Sequence, residues 1–197
     1  LFQSREIMRI LANTVVLALV AAVLSTILGT AGAIGIFYSK KKVGAPLKAV
    51  SQIPIINAEI VTAISLALLF SFVALYRTYF SLIVGHMVLC TPFVILSVMP
   101  KLKQMDPNVY EAALDLGASP TTALFKVVLP QIFSGILSGF MLSITLSLDD
   151  YIVTAFTKPR TFDTISTYVY NAVKNGTNSS TPALRALSAL IFVVMIA

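Results

Sequence analysis

The sequence predicts an all-α, polytopic membrane protein, with about five transmembrane helices in its 197 residues and one polar two-helix segment between them. Three observations predict it. The chain is 57% hydrophobic and 11% charged, with a mean hydropathy of +0.91, whereas soluble domains carry about 25% charged residues. Its uncharged runs persist beyond the roughly 18 residues that mark a membrane helix. Those runs are also too long and too evenly apolar for barrel strands, and a spanning helix satisfies its own backbone in lipid.

Residues 10–39 carry no charge and end at Lys40, Lys41 and Lys42. As one helix they would measure about 45 Å against a hydrocarbon core of about 30 Å, so this span tilts or projects. A run over 53–75 is interrupted only by Glu59 and reads as the second span. The third covers 80–99, between Arg77 and Lys101, and the fourth covers 131–148, where it meets Asp149 and Asp150. A polar stretch over 158–182 precedes a last span opening near Ala183. Arg5 and Arg9 before the first run imitate a signal peptide, but the run exceeds the roughly 7–15 apolar residues of a signal core. The chain starts at Leu1 and ends in an apolar run, so we expect an internal piece of one transmembrane domain over 1–197, with sequence missing at both ends. Gly29, Gly32, Gly35, Gly135 and Gly139 are expected to serve close helix packing, the last two as a G-x-x-x-G pair.

The net charge of +6 fits loop lysines facing anionic lipid and cytoplasm, and it gives no ground for a nucleic-acid partner. Cys90 is the only cysteine, so no internal disulfide forms. Basic residues divide evenly between the two faces, and the positive-inside rule leaves orientation open apart from a slight tilt toward an inner 40–48 loop.

The segment 106–130, DPNVYEAALDLGASPTTALFKVVLP, is charged, capped and punctuated. Asp106-Pro107 is an N-cap with proline at the first helical position, and Gly117 suits a left-handed stop. Ser119-Pro120 repeats the start signal, and Pro130 marks the next break. Two short helices of about ten residues are predicted, with one-sided apolar stripes at Tyr110, Ala113, Leu114 and Leu116, then Leu124, Val127 and Val128. From spacing alone the segment suits a lipid surface and a partner protein equally.

Glu111-Ala112-Ala113, Gly117 six residues after the glutamate, and Val127-Val128-Leu129-Pro130 resemble the EAA loop of ABC importer permeases, departing only in Val127, where isoleucine is usual. The resemblance implies a cytoplasmic coupling segment, with Glu111, Ala112, Ala113 and Gly117 inserting into a cleft of a separate ATP-hydrolysing subunit. It also implies an inner 40–48 loop, an outward 157–182 stretch and six spans in the full chain. Glu59-Ile60-Val61-Thr62-Ala63-Ile64-Ser65, His86 with Pro92-Phe93, and Ser147-Leu148-Asp149-Asp150 resemble the spermidine/putrescine importer permeases.

Glu59, Asp149 and Asp150 lie in or at the edge of spans. A charge at the bilayer centre costs about 2.5–3.5 kcal/mol on insertion scales, so such acids face a cavity or a partner. Carboxylates along a passage could replace part of the hydration of a polyamine's ammonium groups, and these three are the expected substrate-path residues. Pairing with a partner subunit, helix capping and contact with the binding protein are the alternatives. His86, the only histidine, reads as a hydrogen-bonded packing residue. No phosphate-binding loop, catalytic triad or metal constellation is present in the sequence, so no catalytic or metal residues are expected, and ATP and Mg belong on a partner subunit. The resemblance implies two cytoplasmic ATP-binding subunits, a paralogous permease and an extracellular or periplasmic polyamine-binding protein, all at the bacterial inner membrane. Another solute for the same permease class, and a channel or scaffold without ATP, are the rival readings.

Overall fold

The computed structural model describes residues 5–106 and 108–174. Among them the chain is helical throughout, with no strand: α1 (Arg5–Tyr38), α2 (Lys41–Ile56), α3 (Glu59–Phe72), α4 (Tyr79–Gln104), α5 (Asn108–Asp115), α6 (Pro120–Ala123), a π-helical turn over Leu124–Val128, α7 (Leu129–Asp149), α8 (Ile152–Thr157) and α9 (Ile165–Lys174). Three helical runs are long and apolar enough to cross a membrane, Ile7–Tyr38, Tyr79–Gln104 and Pro120–Asp149. The expected fifth span, from Ala183, lies outside the described residues.

The second span differs from expectation. It is a helix pair, α2 and α3, bent by 106° at Asn57 and Ala58. Pro54 removes an N–H near the end of α2, and Ala58 is extended at φ −58°, ψ 133°. Glu59 then opens α3, where a carboxylate is favoured by the helix dipole. The 40–48 loop is likewise corrected: most of it is the start of α2. The turn between α1 and α2 is tight, because Val43 and Gly44 both donate to the Lys40 carbonyl, and a Cβ on Gly44 would lie 3.0 Å from the Ile36 carbonyl oxygen.

α1 inverts the amphipathicity of a soluble helix. Thr14, Ala18, Ala21, Ser25, Gly29 and Ala33 are buried, while Val16, Leu19, Val23 and Ile27 are exposed. Small residues recurring every three or four positions let neighbours approach, and the large apolar side chains are left for lipid or partners.

Two compact units divide the chain, and α1, α4 and α7 each contribute to both. In the unit holding Ala22–Ile56 and Met87–Ser143, a core of Ala33, Val94, Val98, Leu102, Val128 and Ile132 is closed by glycine contacts. A Cβ on Gly29 would stand 2.6 Å from Val94 Cβ, one on Gly135 2.8 Å from Lys101 Cγ, and one on Gly139 3.1 Å from Val94 Cα. These three glycines serve packing as expected. Gly32 makes only ordinary contact at 3.5 Å, and Gly35 faces open space, so the packing expectation fails there.

In the other unit α3 packs on α8, and α8 closes on α4 at Gly85, whose Cβ would meet Val153 Cγ1 at 2.8 Å. α9 docks on the start of α1 through Ile10 and Ile165, and the Ile165 N–H donates to Thr14 Oγ1 at 3.0 Å. Lys158 pairs with Asp163 in the connection before α9.

Candidate docking segment and cation site

The polar segment is built as its caps predict at the first helix. Asn108 N–H donates to Asp106 Oδ1 at 2.9 Å, and α5 runs for eight residues. It ends in a Schellman motif: Ala118 N–H donates to the Ala113 carbonyl at 3.0 Å and Gly117 N–H to the Leu114 carbonyl at 2.9 Å, with Gly117 at φ +85°. Ser119 then accepts from Thr122 N–H at 3.3 Å with Pro120 at the first helical position.

The second helix is not a separate ten-residue piece. α6 passes through the π-helical turn directly into α7, forming one run over Pro120–Asp149. Pro130 does not break it, because Leu129 N–H reaches back to the Leu124 carbonyl across the widened turn, and the extra residue makes room for the ring.

The apolar stripe of α5 also divides. Tyr110 packs on the core and against Tyr38, with ring centroids 5.1 Å apart. Leu116, expected on the same stripe, is 90% exposed, as is 66% of Phe125. Glu111, Ala112 and Gly117 are exposed and Ala113 is half-buried. The outer side of this segment is an ordered, partly apolar surface. The exposure of Leu116 and Phe125 was not legible from stripe spacing, since α5 is only two turns long and either side of so short a helix can meet the core.

The three intramembrane acids belong to the other unit, and they come together. Glu59, at the first turn of α3, lies within electrostatic reach of both Asp150 and Asp149. Asp149 is exposed, Glu59 half-buried and Asp150 buried. Asp150 caps α8: its Oδ1 accepts Val153 N–H at 3.1 Å and its Oδ2 accepts Thr154 N–H at 2.8 Å and Thr154 O–H at 2.7 Å. The sequence did not suggest this cap for the next helix.

His86 stands beside them, fully buried. Its Nδ1 lies 2.8 Å from Ser147 Oγ and its Nε2 lies 2.9 Å from Thr154 Oγ1. Among the described residues, no group of His, Cys, Asp or Glu could hold a metal ion.

Residues 30–197 match the family described as "Binding-protein-dependent transport system inner membrane component". The chain belongs to this family. The permease is thus a multi-pass inner-membrane protein and a transport component. It is 32% identical over 197 residues, 100% of this chain and 76% of the relative, to the "Spermidine/putrescine transport system permease protein PotC" of Haemophilus influenzae. To the Escherichia coli K12 protein of the same description it is 30% identical, over 93% of this chain and 70% of that one. To the "Putrescine transport system permease protein PotI" of Escherichia coli K12 it is 33% identical over 70% of this chain and 50% of that protein. Its fold is similar to that of a chain in inward-facing structures of the MetNI methionine ABC transporter, with a TM-score of 0.73 over 98% of this chain and 93% of the other, at 16% identity. A chain of an amino acid ABC transporter gives 0.65 over 96% and 87%, also at 16% identity.

Proposed function

We propose that this permease is the membrane-spanning subunit of an ATP-driven ABC importer and that its cargo is spermidine or putrescine. The observation that carries the cargo assignment is the meeting of Glu59, Asp149 and Asp150 in one place. Relatives described as spermidine/putrescine and putrescine permeases support it.

Carboxylates gathered in one place repel one another, and a cation among them relieves that repulsion. An arriving ammonium group takes that place: exposed Asp149 meets it first, and Glu59 then adds a second bond to the cation. Each carboxylate replaces part of the ammonium's hydration, and no single acid encloses it, so the cargo leaves as readily as it enters. Asp150, held by α8, keeps the pair in register.

The force comes from outside the chain. Glu111, Ala112, Ala113 and Gly117 form the surface that docks into an ATP-binding subunit, where ATP and Mg are held. The run from Pro120 to Asp149 begins at that docking surface and ends at the acids, so movement of the segment is passed along one helix. Two ATP-binding subunits, a paralogous permease and a polyamine-binding protein outside the membrane complete the assembly.

The test is uptake of radiolabelled spermidine by cells expressing the complete transporter, competed with unlabelled putrescine, an amino acid and an inorganic anion. Competition by putrescine alone is expected. Uptake that ignores putrescine but yields to the amino acid or the anion contradicts the cargo assignment. Co-purification without a nucleotide-binding subunit contradicts the importer assignment.

A further inference from the structure

We propose that His86 is a positioning residue for the cation-binding acids: through its bond to Thr154 it holds Asp150, the buried member of that group. The proposal deepens the polyamine reading and rests on it only for the identity of the cargo.

The geometry defines a directed chain of bonds. Thr154 has one hydroxyl proton, and its Oγ1 lies 2.7 Å from Asp150 Oδ2, so that proton goes to the carboxylate. Thr154 Oγ1 is then left to accept, and at 2.9 Å it accepts from His86 Nε2–H. His86 Nδ1 is in consequence the acceptor, and it takes the Ser147 hydroxyl proton at 2.8 Å. A neutral Nε2–H ring satisfies every donor and acceptor along this path. His86 Nε2 is also 3.5 Å from Asp150 Oδ2.

A histidine that only filled space would not need this arrangement. His86 is on α4, Ser147 is on the last turn of α7, and Thr154 is on α8, so the ring ties together the two helices that flank Asp149 and Asp150. Gly85, next to it, lets α8 come close enough for the bond. Buried chains of this kind hold their members more tightly than the separate bonds suggest, and an unmade bond there is costly. With the ring removed, Thr154 loses its donor and the α7–α8 corner loses two of the hydrogen bonds that join it to α4, those to Ser147 and Thr154. Asp150 keeps its cap on α8, but the start of α8 that carries it is no longer anchored by the ring.

The experiment uses the complete transporter in proteoliposomes, with its binding protein, and reads spermidine uptake and binding-protein-stimulated ATPase. His86→Ala is expected to lower uptake about tenfold, and His86→Gln, whose amide reaches the Nε2 position, to recover part of it. The deciding readout is a double-mutant cycle, because residues that act through one another are non-additive. Adding His86→Ala to Asp150→Asn should cost little more, whereas adding it to Asp149→Asn should cost the full factor. Asp150→Glu replaces Asp150→Asn if the amide abolishes uptake. A purely structural histidine lowers uptake by the same factor on both backgrounds, and that result overturns the proposal, as does wild-type uptake by His86→Ala. Should His86→Ala fail to assemble, the cycle is run with His86→Gln and judged by the same rule. If the wild-type complex moves no spermidine, the cargo assignment fails. The cycle is then read in the ATPase stimulated by the binding protein purified with its native cargo, which tests His86 separately.

Discussion

At the scale of single residues, glycines separate backbone geometry from contact. Gly117 takes φ +85° with open space around its missing Cβ, so only the left-handed backbone demands glycine there. Gly117→Val should strain the turn by about 1–2 kcal/mol, while Gly117→Asn should be milder; stimulated ATPase of the intact complex should fall more for valine than for asparagine. Gly85 is the opposite case, constrained by Val153 Cγ1 at 2.8 Å. Gly85→Val should cost about 1–3 kcal/mol through overpacking, seen as a lower Tm of the solubilised complex, whereas Gly35→Ala should leave stability within about 0.5 kcal/mol of wild type and Tm unchanged or slightly raised. The left-handed stop at Gly117 was legible because a cap, a proline and a glycine stand at fixed spacing. The difference between Gly29 and Gly35 was not: both sit in the same apolar run, and spacing alone does not say which face of α1 meets a neighbour. The wider signal lay in Thr14, Ala18, Ala21, Ser25 and Ala33, small residues at helical spacing that mark the buried face as clearly as the glycines.

At the scale of elements, two boundaries differ from the sequence expectation for a common reason: what proline does depends on the backbone around it. Pro54 and Asn57, inside a run read only for charge, mark the end of α2, and the 106° bend brings Glu59 to the start of a helix instead of the middle of one. Pro130 reads as a break in the sequence, yet the π-helical turn before it absorbs the ring and the helix continues. The result matters mechanically, because the second half of the polar segment, from Pro120, runs into α7 without a loop. Deleting residues 111–117 should leave the complex able to bind ATP but abolish the stimulation of its ATPase by loaded binding protein. Stimulation that survives the deletion would show that the segment does not couple.

At the scale of the whole molecule, composition and run length were enough for the class, and the E-A-A…G spacing was enough to point to the transport family. Which acids lie near one another was not legible, because Glu59 and Asp150 are far apart in sequence and no local pattern records tertiary proximity. His86 was legible as a hydrogen-bonded residue, but its partners Ser147 and Thr154 lie 61 and 68 positions away. What the fold adds is a difference in burial, with Asp150 buried, Glu59 half-buried and Asp149 exposed; on the proposed function the last two meet the cargo. The most direct measurement is spermidine uptake by the complete transporter carrying Glu59→Gln or Asp149→Asn, with assembly checked by co-purification. Our account predicts that each variant assembles normally and that uptake falls about tenfold, since each removes one charge-assisted bond to the cation. Normal uptake by both variants would contradict it.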